Sequence, residues 1–152
     1  MTLLLYPDGR AFATGVATYR ARPTETPGPT RIILQILIGG WPVRAVVDTG
    51  APYLICDPEV ARDAGAGLGN MLTTETLIIR GRKYTGSLHR MDVEIPAEQG
   101  EMLSLDATVF VPQLLPDDSW DFPNFIGLTG ALERMRFAVD PDGELFYFGP
   151  PA

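Results

Sequence analysis

The sequence predicts a mostly β fold, on three observations. Sixteen glycines and fourteen prolines are spread along 152 residues, punctuation that keeps segments short and disfavours long helices. Apolar, β-branched runs recur between those breaks, most clearly from Ile32 to Ile38. Between two such runs stands Gly39-Gly40, and glycine takes the positive φ that a primed hairpin turn requires.

The chain has the length of a single domain able to bury a real core. A formal net charge of -7 and the absence of a basic run argue against nucleic acid as a partner, because phosphate affinity comes from clustered Lys and Arg. The single cysteine, Cys56, leaves no internal disulfide and no Cys-based metal cluster, and it reads as a small buried hydrophobe. The apolar start Met1 to Tyr6 is interrupted by Pro7-Asp8-Gly9. That is too short for a signal-peptide core or a membrane span, so the expected location is the cytoplasm, with no membrane partner.

In chain order, Arg10 to Arg22 alternates as a strand with a break at Gly15, and Pro23 to Thr30 is a proline-rich arm. Arg31 to Ile38 is a strand with apolar residues on both faces, hence expected to be buried on both. Trp41 to Val47 returns as its hairpin partner and ends at Asp48. Tyr53 to Cys56 is a short strand, and Asp57-Pro58-Glu59 supplies an N-cap, first position and first-turn acid for a short helix. Thr73 to Ile79 and Tyr84 to Ile95 form a hairpin across Arg80-Gly81-Arg82-Lys83, and Leu103 to Val111 adds a strand. Leu114 to Pro123 reads as an irregular surface segment and Asn124 to Leu128 as an apolar run. Thr129 to Met135 is a short helix. Arg136 to Val139 pairs with Leu145 to Phe148 across Asp140-Pro141-Asp142-Gly143.

Asp48 is the residue that local propensity does not explain. An ionised carboxylate between apolar runs is costly unless bonded, paired or neutralised. Two readings stand from spacing alone: an Asp that ends a strand and caps a turn, or the carboxylate of a site.

Val46-Val47-Asp48-Thr49-Gly50-Ala51, a hairpin around Arg80 to Tyr84, then Phe125-Ile126-Gly127, the turn Ala131 to Met135 and the final Phe146-Tyr147-Phe148-Gly149 together resemble the retropepsin-like aspartic proteases. The likeness covers residues 32–149, so residues 1–30 form an N-terminal strand and arm, and residues 31–152 the protease-like domain. It implies a closed β-barrel of the acid-protease half type, a flap hairpin and one or two short helices. It further implies an aspartic endopeptidase with Asp48 as catalytic residue, Thr49, Gly50 and Ala51 as active-site loop, and Phe125, Ile126 and Gly127 as its support. Gly81, Arg82, Lys83, Tyr84 and Gly86 are the flap candidates, with Gly81 and Gly86 as flexible points. The chemistry needs two carboxylates sharing a proton and a water, and the chain holds one Asp-Thr-Gly. The resemblance therefore implies a homodimer with one Asp48 from each copy, acting on a peptide or protein substrate without cofactor or metal. Leu145 to Phe148 is the first choice for pairing between copies. The alternative is a non-catalytic peptide-binding or dimerisation module that keeps the fold.

Pro52-Tyr53 depart from the family's small polar or acidic residues at this point, and the flap tip is bulkier and more basic. Asp117, Asp118 and Asp121 read as a solvated acidic loop rather than a calcium site. His89, the sole histidine, reads as a surface or flap-strand residue. Trp41 and Trp120 read as core or rim aromatics.

Overall fold

The computed structural model describes residues 3–21 and 30–151. Along it run β1 (Gly15–Thr18), β2 (Ile33–Ile38), β3 (Trp41–Val47), β4 (Leu54–Ile55), α1 (Pro58–Asp63), β5 (Met71–Ile79) and β6 (Arg82–Ile95). Then come β7 (Gln99–Gly100), β8 (Leu103–Pro112), β9 (Asn124–Ile126), β10 (Arg136–Asp140) and β11 (Leu145–Gly149), with 3₁₀ turns at Leu68–Asn70 and Leu132–Arg134. Most of the proline-rich arm expected over 23–30 lies outside the described residues.

Strands β2, β3, β9, β4, β8 and β6 are neighbours in that order, and β6 returns to β2 through Leu37 opposite Glu94 and Ile38 opposite Val93. The result is a closed six-stranded barrel. Gly39 and Gly40, at φ 54° and 86°, make the tight turn that sets the β2–β3 register. Leu34, Ile36 and Ile38 point inward and are at most 1% exposed. The opposite face is only partly covered: Ile33 is buried, Gln35 exposed and Leu37 half-buried. Burial of both faces was expected, but a closed barrel has one interior, and the outside is covered only where another element packs on it. On that outer face Phe110 is fully buried in a second cluster with Ile33, Val46, Tyr84 and Phe125, and a buried aromatic of this size contributes about 3–5 kcal/mol relative to Ala.

Strand β5 pairs with β6 alone and extends past the barrel. A second sheet, β10-β11-β1-β7, covers one side, with Phe146 and Phe148 at 0% exposure beneath it. In this sheet β11 has β10 on one side and β1 on the other. Leu145 to Phe148 is therefore used within the chain, contrary to the expectation that it pairs with a second copy, and the edge strands are β10 and β7. The Thr129–Met135 helix shrinks to one 3₁₀ turn, since Gly127 and Leu128 are held against the Asp48 loop and leave only the last residues free to coil. The N-terminal strand is confined to Gly15–Thr18.

Side chains pin elements where backbone pairing stops. Asp57 caps α1 by accepting from Glu59 N–H at 2.8 Å. Asn124 accepts from Asp57 N–H at 2.8 Å and donates to the Arg44 carbonyl at 3.1 Å. His89 lies on β6, a strand of the β5–β6 hairpin, and is buried rather than on the surface, with 4% exposure. It lies 2.9 Å from Asn70 Oδ1 through Nδ1 and 2.6 Å from Ser87 Oγ through Nε2, and so ties the 3₁₀ turn to β6. Among the described residues, no helix is long and apolar enough to cross a membrane.

Burial pushes the pKa of His89 below its ordinary 6.5, against a smaller opposing effect of a backbone hydrogen bond with Gly67. The unfolded chain thus takes up the proton before the native one, and the stabilisation present above the ordinary pKa is lost as pH falls below it. Unfolding in urea followed across that range should show His89→Gln losing less stability on acidification than the parent; parallel profiles would contradict this.

Candidate active site

Strand β3 carries the chain into the loop from Asp48 to Tyr53. Val47 N–H donates to the Ile32 carbonyl at 2.8 Å and Asp48 N–H to the Ile126 carbonyl at 2.9 Å. The Asp48 side chain is half-buried, and its Oδ1 accepts from Gly50 N–H at 2.9 Å while its carbonyl accepts from Ala51 N–H at 3.1 Å. These bonds fix the carboxylate on a closed turn. The turn-cap reading of Asp48 is met, and the capped turn leaves the carboxylate half-buried. Thr49 beside it is exposed.

Behind the loop, β9 lies parallel to β3 and antiparallel to β4. Gly127 N–H donates to the Tyr53 carbonyl at 2.7 Å and Leu128 N–H to the Ala51 carbonyl at 2.8 Å. A β-carbon at Gly127 would overlap both carbonyl oxygens, so only glycine permits this crossing. Phe125 and Ile126, 5% and 3% exposed, anchor β9 on either side of the sheet. The sequence candidates for loop and support therefore come together.

Tyr53, which follows the departure at Pro52, sits at φ 59°, a conformation rare for a bulky residue. Its hydroxyl donates to Glu75 Oε2 on β5 at 2.7 Å. That bond, then burial and the Glu75 charge, raise the Tyr53 pKa above its ordinary value. Glu75 was not singled out from sequence, and an acid within alternating strand residues gives no signal of a partner 22 positions away.

Asp48 opens into a cavity of about 740 Å³ bounded by Ile32, Val47, Ala51, Ile55 and Phe125 below and by Leu77 to Arg80 of the β5–β6 hairpin. Val139 and Pro141, at the end of β10, close one side. The flap candidates divide. Gly81, at φ 81°, is at the turn, and Arg82 and Lys83 begin β6 beside it. Tyr84 is 5% exposed and packs on Trp120 and Phe122, with ring centroids 5.4 Å and 6.1 Å away. Gly86 is buried within β6, where a β-carbon would overlap the Val111 carbonyl and the Phe110 ring. It serves close packing and is no flexible point of the tip.

The hairpin is also held from outside. Arg80 lies over Phe122 and Phe125, 5.2 Å and 5.7 Å from their centroids, and Arg82 reaches Asp118 at 3.5 Å. Residues 114–123 are thus more than the surface segment expected: Trp120 and Phe122 give the hairpin a footing, and Asp118 an ion-pair partner.

Neither a family model nor a curated protein sequence matches the chain. Among solved structures it is similar to a retropepsin-like aspartic protease from Rickettsia conorii, with a TM-score of 0.58 and 20% identity, over 88% of this chain and 89% of the other. The fold is therefore retropepsin-like. At that identity the likeness is one of architecture.

Gly127→Ala should lower stability by more than about 3 kcal/mol, because backbone oxygens on two sides cannot move away together. Equilibrium urea unfolding measures it, and a cost below about 1 kcal/mol would show that the loop can yield.

Proposed function

We propose that the chain is an aspartic endopeptidase whose catalytic pair is Asp48 from each of two copies. The observation that carries this reading is a single carboxylate, fixed by a backbone-clamped turn, opening into a cavity under a β-hairpin. Two such carboxylates facing each other across a two-fold axis would share one proton, because like charges in contact do not both ionise. The ionised Asp48 takes a proton from water as the water oxygen bonds to the peptide carbonyl carbon, and the protonated Asp48 gives its proton to the carbonyl oxygen. Collapse of that tetrahedral species breaks the C–N bond. The amine nitrogen leaves with the proton taken from water, and the hydroxyl formed at the carbonyl oxygen returns the other.

Thr49 and Gly50 flank the pair, and an extended peptide lies between it and the β5–β6 hairpin, bonding through its backbone as an added strand does. With β11 flanked on both sides, the edge of β10, adjoining the cavity through Val139 and Pro141, is the one offered to a second copy. The cytoplasm is the location proposed, since a lone cysteine forms no internal disulfide and suits a reducing compartment. One copy alone has half of the pair, which favours a second reading, a module that binds extended peptides without cutting them.

Asp48→Asn should retain the fold by circular dichroism and lose cleavage of a peptide library by about a hundredfold or more between acidic and neutral pH. Parent activity per chain should also rise with concentration as sedimentation reports dimer. An Asn variant that cleaves like the parent would remove Asp48 from the chemistry; a folded parent that binds but never cuts would favour the binding module.

A further inference from the structure

We propose that this cavity selects extended peptides bearing an acidic side chain near the apolar residues it accommodates, with Arg31 and Arg80 as the selecting groups; the inference rests on the peptide-binding reading above. Among the described residues, the charged side chains lining the cavity are Asp48, Arg31 and Arg80. The other walls are mainly apolar, and Ile78 is 70% exposed and left for a ligand to cover. Arg10, Arg62, Arg82 and Arg90 each lie beside an aspartate. Neither cavity arginine has such a partner among the described residues.

Arg80 carries a second observation. It occupies the first turn position of the hairpin at φ 49°, where Asn, Asp or Gly is the favoured residue and a long side chain is strained. Its guanidinium is fixed at the cavity wall by Phe122 and Phe125, and stacking through the face leaves edge N–H groups to donate to a carboxylate. Strain kept at such a place points to a role in the site rather than in the turn. Arg31 leads into β2 next to Ile32, whose carbonyl holds Val47, and both cations line the cavity into which Asp48 opens. A pair of Asp48 groups sharing one proton carries one negative charge against two arginines from each copy. A substrate carboxylate gains there and an ammonium is repelled, although the whole chain is acidic.

The test uses the intact protein and acetylated, amidated peptides with an apolar pair at the centre and Glu, Gln or Lys at each flanking position. For at least one position kcat/KM should fall in the order Glu, Gln, Lys, with the Glu-to-Lys ratio about tenfold and flattened by salt. Arg31→Gln and Arg80→Asn should each reduce that ratio several-fold; Asn suits the left-handed turn, so the hairpin keeps its geometry. Equal cleavage of all three series would overturn the proposal and leave the peptidase reading standing. A matched series left unamidated is run beside them, and a preference seen only there, with the free C-terminal carboxylate, would overturn the assignment to an acidic side chain. If nothing is cleaved, fluorescence anisotropy with the same peptides decides: affinity ordered by charge and reduced by both variants supports it, and charge-blind or absent binding overturns it.

Discussion

The crossing of β9 behind the Asp48 loop is a backbone-on-backbone contact, and the geometry around it follows from that closeness. Three hydrogen bonds cross it: Asp48 N–H to Ile126, Gly127 N–H to Tyr53 and Leu128 N–H to Ala51. Buried amides that leave water need partners, and here the loop and β9 supply each other's. A glycine is required because any side chain would occupy the space of the Ala51 and Tyr53 oxygens. The carboxylate is thereby held by the main chain, with the Gly50 amide on Oδ1, and its position does not depend on a neighbouring charge.

Around that fixed point the hairpin is tied in several places. Tyr53 joins the loop to β5 through Glu75, and Tyr84, Trp120 and Phe122 form an edge-to-face cluster with centroids 5.1 Å to 6.1 Å apart. Such clusters add to area burial because ring edges meet ring faces. The turn end of the hairpin is therefore packed on one face, while Ile78 stays exposed. A hairpin held in place this way can cover an extended ligand with little cost in ordering.

The second sheet has consequences for assembly. By taking β11 between β10 and β1, the chain satisfies that strand internally and leaves β10 as the edge beside the cavity. A sheet edge is a template for another chain, and this one adjoins the site that lacks a second carboxylate. The proposed pair would need a second copy, and the β10 edge lies beside the cavity where such a copy would join.

Much of this was legible in the sequence. The β2–β3 hairpin follows from Gly39-Gly40, the α1 cap from Asp57-Pro58-Glu59, and the β10–β11 turn from Asp140 to Gly143, whose amides bond back to Asp140 Oδ1. These are local signals, set within a few residues by φ preference and short-range hydrogen bonds. The sequence also singled out Asp48, as an acid among apolar residues, and, through the family resemblance, Thr49, Gly50 and Gly127. What only the tertiary structure decided is which distant groups meet: Tyr53 with Glu75, Arg80 with Phe122 and Phe125, His89 with Asn70, Gly86 with Phe110. Periodicity reports which face a residue takes, whereas partners across a closed barrel are chosen by register and strand order. That is why the flap residues divided as they did, and why β11 was claimed by its own chain.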